Sequence, residues 1–516
     1  MSFLKKILYS ESYKKGIILS VFFNICSKGL LFVVNIAIAF YFGTNTETDI
    51  YFYLNATLLI LVGYINNIDT AVLIPELMRL KHQEDEGSYK IFINFFLYLY
   101  LLIGAIGVCI LFFFNTNLYA LISNFSTATI ASHRTMFLIS SFNFLLLIVI
   151  NYLVNILTSL KYFTLPMMIS VVNSVMVLAA VIFGHQTLGT TGIIIGATLA
   201  QLVNVMLLII LMKVNLKWKF GLIPKTFSIR RKVWKDIAWI ELGQLSALFT
   251  NYLPIYLLSS FGNGAITAMN FGKSIAEIPN SLLTSQYSYI IGIKFNELYH
   301  KAKLIELNET FIKSGKLLVL ILIPISCFIS FHAEGIIQIL LQHGSFNKTD
   351  AATTARFLSI FGLAIPFFAI GSLITRLCFA AQKARFVFFY QILTNLVFII
   401  AIYAATRVYN IYGYSYGYLF FNIFNVLIAY YVCRYLLPQL KYVAFVGYFF
   451  GIFIFYIVLS IGMYWIHKNN QGFLFMTVDF LVYLICFLYI ARKWIMPYYH
   501  QYLTRKQRPL REEIRN

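Results

Sequence analysis

Six ionisable residues stand in stretches that are otherwise apolar, and chemistry is to be sought there first. Lys28 closes the run Asn24-Ile25-Cys26-Ser27-Lys28, while Lys273 and Glu277 lie one helical turn apart in a second stretch. Asp69 and Glu241 fall inside two more, and Asp49 stands at the start of another. A charge at the centre of a membrane-spanning helix costs about 2.5–3.5 kcal/mol on insertion scales, so the charges that occur there face a cavity or a partner. The ammonium groups of Lys28 and Lys273 have the sign needed to hold an anionic headgroup such as a diphosphate. The carboxylates of Asp49, Asp69, Glu241 and Glu277 are of the type that takes up a proton or Na⁺, which makes them candidates for gating or ion coupling. Plainer readings compete at two of these sites. Lys273 and Glu277 have the i,i+4 spacing that neutralises both charges within one helix, and Thr48-Asp49 has the composition of a helix cap. Asp479 lies in a later apolar run with no partner legible in the sequence.

The elements that carry these residues follow from composition. Hydrophobic residues make up 60% of the 516 and charged residues 11%, and the mean hydropathy is +0.79. Such a chain cannot surround soluble cores with polar surface. Apolar runs long enough to cross a bilayer core of about 30 Å recur from Ile17–Phe42 to Phe473–Ala491, about fourteen in all. The distribution of basic residues tests that count independently, because Lys and Arg collect on the inner side of the membrane. With the N-terminus inside, the outer loops hold only Arg134, Lys348, Arg407 and Lys468. Lys28, Lys273, Arg356 and Arg376 fall within or at the edges of spans, and the rest of the 40 Lys and Arg lie on the inner side. A missed or extra span would scramble this alternation.

The net charge of +21 is therefore first a topology signal and an attraction to anionic inner-leaflet lipids. Its clusters, Arg230-Arg231-Lys232 and Arg505 to Arg508, are short juxtamembrane segments and do not point to nucleic acid. Lys5, Lys6, Lys14 and Lys15 before the first run imitate a signal peptide, but the run is too long and many spans follow, so it reads as an uncleaved first helix. The six cysteines, Cys26, Cys109, Cys327, Cys378, Cys433 and Cys486, lie in or at the ends of spans without CxxC spacing, which supports packing and neither a disulfide framework nor a metal site.

The expected fold is an all-α polytopic membrane protein of two six-helix lobes plus a C-terminal helix pair. The boundaries are 1–215 for the first lobe, 216–236 for a basic cytoplasmic linker, 237–438 for the second lobe, 439–496 for the pair and 497–516 for a basic cytoplasmic tail. An even number of spans per lobe relates the lobes by an axis along the membrane normal. Short echoes support a duplication: Phe42-Gly43 closes span 1 and Phe261-Gly262 closes span 7, and basic turns at Lys161 and at Lys383-Ala384-Arg385 join spans 4 and 5 and spans 10 and 11. Pro75, Pro166, Pro254, Pro279, Pro324 and Pro366 interrupt or border spans, as in helices that bend around a cavity. The chain has no GxxxxGK[ST] loop, so transport would draw on an ion gradient, the membrane potential or the substrate's own gradient, with no bound cofactor. The outer loops are short. With His133 in one and His332, Glu334, His343 and Asp350 in another, they offer little for catalysis, and the chain reads as a transporter and not as an enzyme.

Three stretches resemble one family. From Glu334 to Lys383 a short helix ends in Gly344-Ser345-Phe346, an acidic residue follows at Asp350, and a long helix ends in Phe379-Ala380-Ala381. FYFGTNTETD at Phe40 to Asp49 and AMNFGKSIAEIPNSLL at Ala268 to Leu283 look similar as well. Together they resemble the MurJ/MviN family of lipid II flippases, within the multidrug/oligosaccharidyl-lipid/polysaccharide exporter superfamily. The resemblance implies two lobes in a V around a cationic cavity and a groove for a lipid tail formed by the last two helices. The implied activity is movement of a polyprenyl-diphosphate-linked glycan from the inner to the outer leaflet, for peptidoglycan synthesis. A monomer in the bacterial inner membrane, with both termini cytoplasmic and membrane lipids around it, is expected. Lys28 and Lys273 fall where the family tends to have cavity arginines, and Asp49 and Glu277 match family acidic positions. Two further cavity arginines are replaced by Val34 and the apolar Leu59-Ile60-Leu61-Val62, and lysine lacks the bidentate fork of arginine. This departure raises a Wzx-like reading, a flippase of O-antigen or exopolysaccharide units. A drug/cation antiporter is the third reading, against which the C-terminal pair argues.

Overall fold

The computed structural model describes residues 13–83, 86–160, 162, 164–221, 223–224, 229–381, 384–438, 440–466 and 474–492. Lys5 and Lys6, the turn residues Lys161 and Lys383, Lys468 and the basic tail beyond Arg492 lie outside the described residues. The described chain is a succession of helices. In order they are α1 Tyr13–Phe42, α2 Thr46–Ile68, α3 Ile74–Gln83, α4 Glu86–Phe113, α5 Asn115–Ile122, α6 Thr127–Ser132, α7 Arg134–Ser159, α8 Thr164–Leu188, α9 Thr191–Leu216, α10 Arg231–Leu258, α11 Ala265–Pro279, α12 Ser285–His300, α13 Leu304–Phe331, α14 Ala333–Leu341, α15 Lys348–Ala380, α16 Ala384–Tyr409, α17 Gly413–Leu436, α18 Tyr442–Ile466 and α19 Leu474–Arg492. Helices are what lipid permits, because each satisfies its backbone polar groups internally.

Among the described residues, 11 helical stretches are long and apolar enough to cross a membrane. The sequence count differs from this in three places. Phe388–Leu436 counts once although it holds most of α16 together with α17, separated by the short 3₁₀ turn Asn410–Tyr412. The other two places are α10, which opens on Arg231-Lys232, and the pair α11 and α12, which carries Lys273, Glu277, Lys294 and Glu297; neither is among the 11.

Two helices are broken by π-turns, which widen the helix by one residue and often mark functional sites. One, Asp69–Leu73, joins α2 to α3 just before Pro75; the other, Asn280–Thr284, joins α11 to α12 just after Pro279. Proline removes a backbone donor and crowds the preceding turn, which explains the change of register before Pro75; the π-turn after Pro279 begins beyond the turn that its ring crowds. Both π-turns fall in the second helix of an expected lobe. The proposed Phe-Gly echo also has matching local geometry, since Gly43 and Gly262 have φ of +65° and +56°.

Contacts divide the chain into two compact units that do not coincide with the expected lobes. The first comprises residues 1–271, 340–351 and 390–414, and the second residues 272–339, 352–389 and 415–516. In the first, Phe92, Phe96, Tyr152, Leu153 and Leu208 belong to a buried cluster beside which the linker folds back. Trp218 is 1% exposed and donates its ring N–H to Asn94 Oδ1 at 2.8 Å, while Asn94 Nδ2 donates to Lys219 O at 3.2 Å. In the second unit, Phe367 meets Phe449 at 4.9 Å between ring centroids and Phe311 meets Phe445 at 6.0 Å, which seats α18 against α15 and α13. Packing of this kind, and not exclusion from water, is what holds helices together in lipid.

Candidate functional site

A densely hydrogen-bonded site lies in the first unit, at the turn between α1 and α2. Asn45 caps α2: its side chain accepts from Thr48 N at 2.9 Å, and the Asn45 N–H donates to Thr48 Oγ1 at 3.0 Å. This reciprocal pair meets the needs of the first turn and releases Asp49, which is therefore not the cap of its own helix. Asp49 is fully buried and serves the start of α11. It accepts from Gly264 N at 2.9 Å, from Thr267 N at 2.8 Å and from Thr267 Oγ1 at 2.8 Å. The first N–H groups of a helix lack internal partners and carry partial positive charge, so a buried carboxylate at that point is stabilised twice, by hydrogen bonds and by the helix dipole.

The same turn holds a third segment. Ser345 donates its N–H to Phe40 O at 2.8 Å and its hydroxyl to Tyr41 O at 3.0 Å, and Thr44 donates its hydroxyl to Asp350 at 2.5 Å. Asp350 is itself fixed at the start of α15, where Asn347 Oδ1 accepts from Thr349 N at 2.8 Å and from Asp350 N at 3.0 Å. Phe346, 2% exposed, packs against Phe271 with centroids 6.0 Å apart, and Phe271 meets Phe52 at 5.4 Å. The three stretches that carried the sequence resemblance thus meet in one clasp.

The other coupling candidates have different surroundings. Asp69, buried in the first π-turn, accepts from Tyr100 OH at 2.6 Å and from Asn155 Nδ2 at 3.0 Å, and the same Asn155 amide also reaches Asn66 Oδ1 at 2.5 Å. Glu241 is half-buried; Tyr64 OH donates to its backbone carbonyl at 3.0 Å, and its Oε1 has no hydrogen-bond partner among the described residues. In the second unit Lys273 pairs with Glu277 at 3.7 Å, the intrahelical arrangement expected from their spacing, and the two side chains are 34% and 58% exposed. Lys28 is exposed on α1 and lines a cavity of about 480 Å³ within the first unit, together with Asn143, Asn173, Gln201 and Asn204.

Sequence reasoning missed three pairings. Glu76 receives Arg79 at 3.0 Å and also holds Arg230 of the linker in an ion pair, although the Glu76-Arg79 spacing of three was visible. Asp479, partnerless in the sequence, lies 3.4 Å from His332 Nε2 in the second unit. Among the described residues no cluster of three or more His, Cys, Asp or Glu could hold a metal ion. Cys327, Cys378 and Cys433 are buried and none of the six cysteines is in a disulfide.

Comparison with other proteins places this geometry. A probable lipid II flippase MurJ of Borreliella burgdorferi is 21% identical over 396 residues, which covers 74% of this chain and 75% of that one. A protein of the same description from Buchnera aphidicola is 23% identical over 385 residues, 70% of this chain and 72% of that one. A solved lipid II flippase MurJ in an inward closed conformation shares the fold, with a TM-score of 0.77 at 18% identity over 93% of this chain and 100% of that one. An inward-facing multidrug MATE transporter gives 0.65 at 14% identity, over 80% and 95%. The family model described as lipid II flippase MurJ matches residues 38–485, from the clasp to the last helix, and the chain belongs to that family.

Proposed function

We propose that this protein is a flippase that moves a lipid II-like precursor, a polyprenyl-diphosphate-linked sugar, across the bacterial inner membrane by alternating access for peptidoglycan synthesis. The observation that carries this reading is the family match over residues 38–485. The protein works through two six-helix lobes, 1–215 and 237–438, with both termini cytoplasmic, and acts as a monomer. Lys28 and Lys273 contact the diphosphate. Asp49, Asp69, Glu241 and Glu277 are the groups through which H⁺, Na⁺ or the membrane potential drives the cycle.

The clasp suits a protein that must change state. Its joints are hydrogen bonds between short turns, each with a net value of about 0.5–1.5 kcal/mol, so it can break and reform without unfolding a helix. One observation favours a second substrate, an O-antigen or exopolysaccharide repeat unit: Val34 is 2% exposed and lines the Lys28 cavity with Leu58 and Leu59, where a diphosphate site would be richer in guanidinium.

The test is depletion of the protein in its native host, with identification of the polyprenyl-linked intermediate left on the inner leaflet. Accumulated lipid II with lysis is the expected result. A different lipid-linked glycan in viable cells would move the protein to surface-polysaccharide export, and no accumulated lipid would overturn the flippase reading.

A further inference from the structure

Near its start, α19 joins the rest of the second unit along one face. Met476, Asp479 and Tyr483 have the three- and four-residue spacing of a single helix face, while Val478, Phe480, Leu481 and Ile485 around them are exposed. Met476 lies against Gly335 of α14, where an added β-carbon would come within 2.5 Å of its sulfur. Tyr483 shares a hydrogen bond between hydroxyls with Ser460 of α18. Between these contacts stands Asp479, its side chain 2% exposed and one oxygen 3.4 Å from Nε2 of His332 at the end of α13. Phe328 flanks the imidazole at 4.7 Å and Phe480 at 5.6 Å between ring centroids, which gives the pair an apolar surround.

This seam has no structural need of a carboxylate. Helices in lipid are held by close packing, and a leucine in place of Asp479 would carry no desolvation cost. A buried carboxylate calls for a proton or a cation, and the partner supplied here is the side-chain type whose charge changes between about pH 5 and 8. With His332 neutral, the pair holds one negative charge beside the uncharged Met476 and Tyr483 contacts. One proton more makes it neutral as a whole, as imidazolium with carboxylate or as imidazole with carboxylic acid. Lysine or arginine would have fixed the seam at every pH, whereas histidine makes it conditional. The titratable side chains around the pair are Cys327 of α13, Tyr456 of α18, and Tyr483 and Cys486 of α19, thiols and phenols of types that ordinarily ionise above about pH 8. Glu334 of α14 is exposed and receives Gln338 Nε2 at 3.4 Å.

We infer that His332 and Asp479 form a proton-binding site that fastens α19 to the second unit when occupied and loosens it when empty. The proton's contribution to stability is complete below the ordinary imidazole value of about 6.5 and is lost as pH rises through the value that applies in the fold. The full-length protein in lipid nanodiscs is unfolded thermally at about pH 5.5 and about pH 8. The wild type is expected to unfold about 2 °C above Asp479→Asn at the lower pH and to lose that margin at the higher one. Other histidines, such as His133 beside Glu47, are common to both chains, so the difference isolates this pair. His332→Gln should show no margin at either pH, and His332→Arg, charged throughout, should hold it at both. A wild-type margin that is equal at the two pH values would make the pair a fixed contact and overturn the site. Should Asp479→Asn not fold, amide exchange over residues 474–480 of the wild type decides. Opening about tenfold more frequent at the higher pH, after correction for intrinsic exchange, supports the site, and unchanged opening overturns it. Neither measurement involves transport, so the flippase reading stands or falls separately.

Discussion

Two regions of the first unit treat buried polar groups in opposite ways. At the turn between α1 and α2, each oxygen of the Asp49 carboxylate has a backbone donor, and Asp350 accepts a hydroxyl and a backbone N–H. Around the cavity beside Lys28, Asn143 and Asn204 bury oxygens with no donor among the described residues. Satisfied groups specify one arrangement of the chain; groups left without a partner do not. The difference separates a joint from a cavity, although both are made of short polar side chains set in apolar helices.

The largest effect should come from cutting the joint. Asp49→Ala leaves the N–H groups of Gly264 and Thr267 without their acceptor, and the expected loss of stability is roughly 3 kcal/mol, from about 1–3 kcal/mol per buried group left unpaired. Thermal unfolding of the purified variant should show a clear fall in midpoint, and the variant should fail to replace the wild-type gene. An unchanged midpoint would mean that α11 does not depend on this carboxylate for its N-terminus.

A smaller effect is expected at the opposite side of the clasp. Gly344 has φ of +61° and turns its α-carbon toward the carbonyl of Phe40, so a side chain meets both backbone strain and that oxygen. Gly344→Ala should cost about 1–2 kcal/mol, measurable in the same unfolding assay. If the clasp is one cooperative unit, the double variant with Asp49→Ala will lose less than the sum of the two, because either change already separates the segments.

How much of this was legible beforehand depends on the range of the interaction. The membrane imposes a length on every crossing, so helices could be read from local runs such as Ile91–Phe114, which folds as α4 Glu86–Phe113. The three motif stretches were also visible. Their meeting was not, since Asp49 and Gly264 are 215 positions apart and Thr44 and Asp350 are 306 apart. Nothing in Thr48-Asp49 distinguishes a cap for its own helix from a cap for a distant one. That distinction came from Asn45, which occupies the local role first. The pairing of Arg230 with Glu76, 154 positions apart, was hidden in the same way behind a basic run that looked like a lipid contact. The amide cavity left a readable signal that went unused: Asn143, Asn173 and Asn204 each sit well inside an apolar run, where an uncharged polar group is still costly.

The smallest stability effect belongs to Lys273 and Glu277, and it sharpens the contrast between joint and cavity. Their ion pair at 3.7 Å joins two partly exposed side chains on one helix, a geometry with a value of about 0.3–0.5 kcal/mol. Glu277→Gln should therefore leave the unfolding midpoint almost unchanged. If Lys273 only neutralises Glu277, then Lys273→Ala will be equally silent in transport as well as in stability. If Lys273 serves the substrate's phosphates, Lys273→Ala will depress transport while Glu277→Gln, which frees the ammonium group from its neighbour, will not. The expected outcome is this second one, a transport defect without a stability defect. Equal transport in the two variants would return Lys273 to the role of a helix-surface ion pair and leave Lys28 as the sole cation assigned to the headgroup.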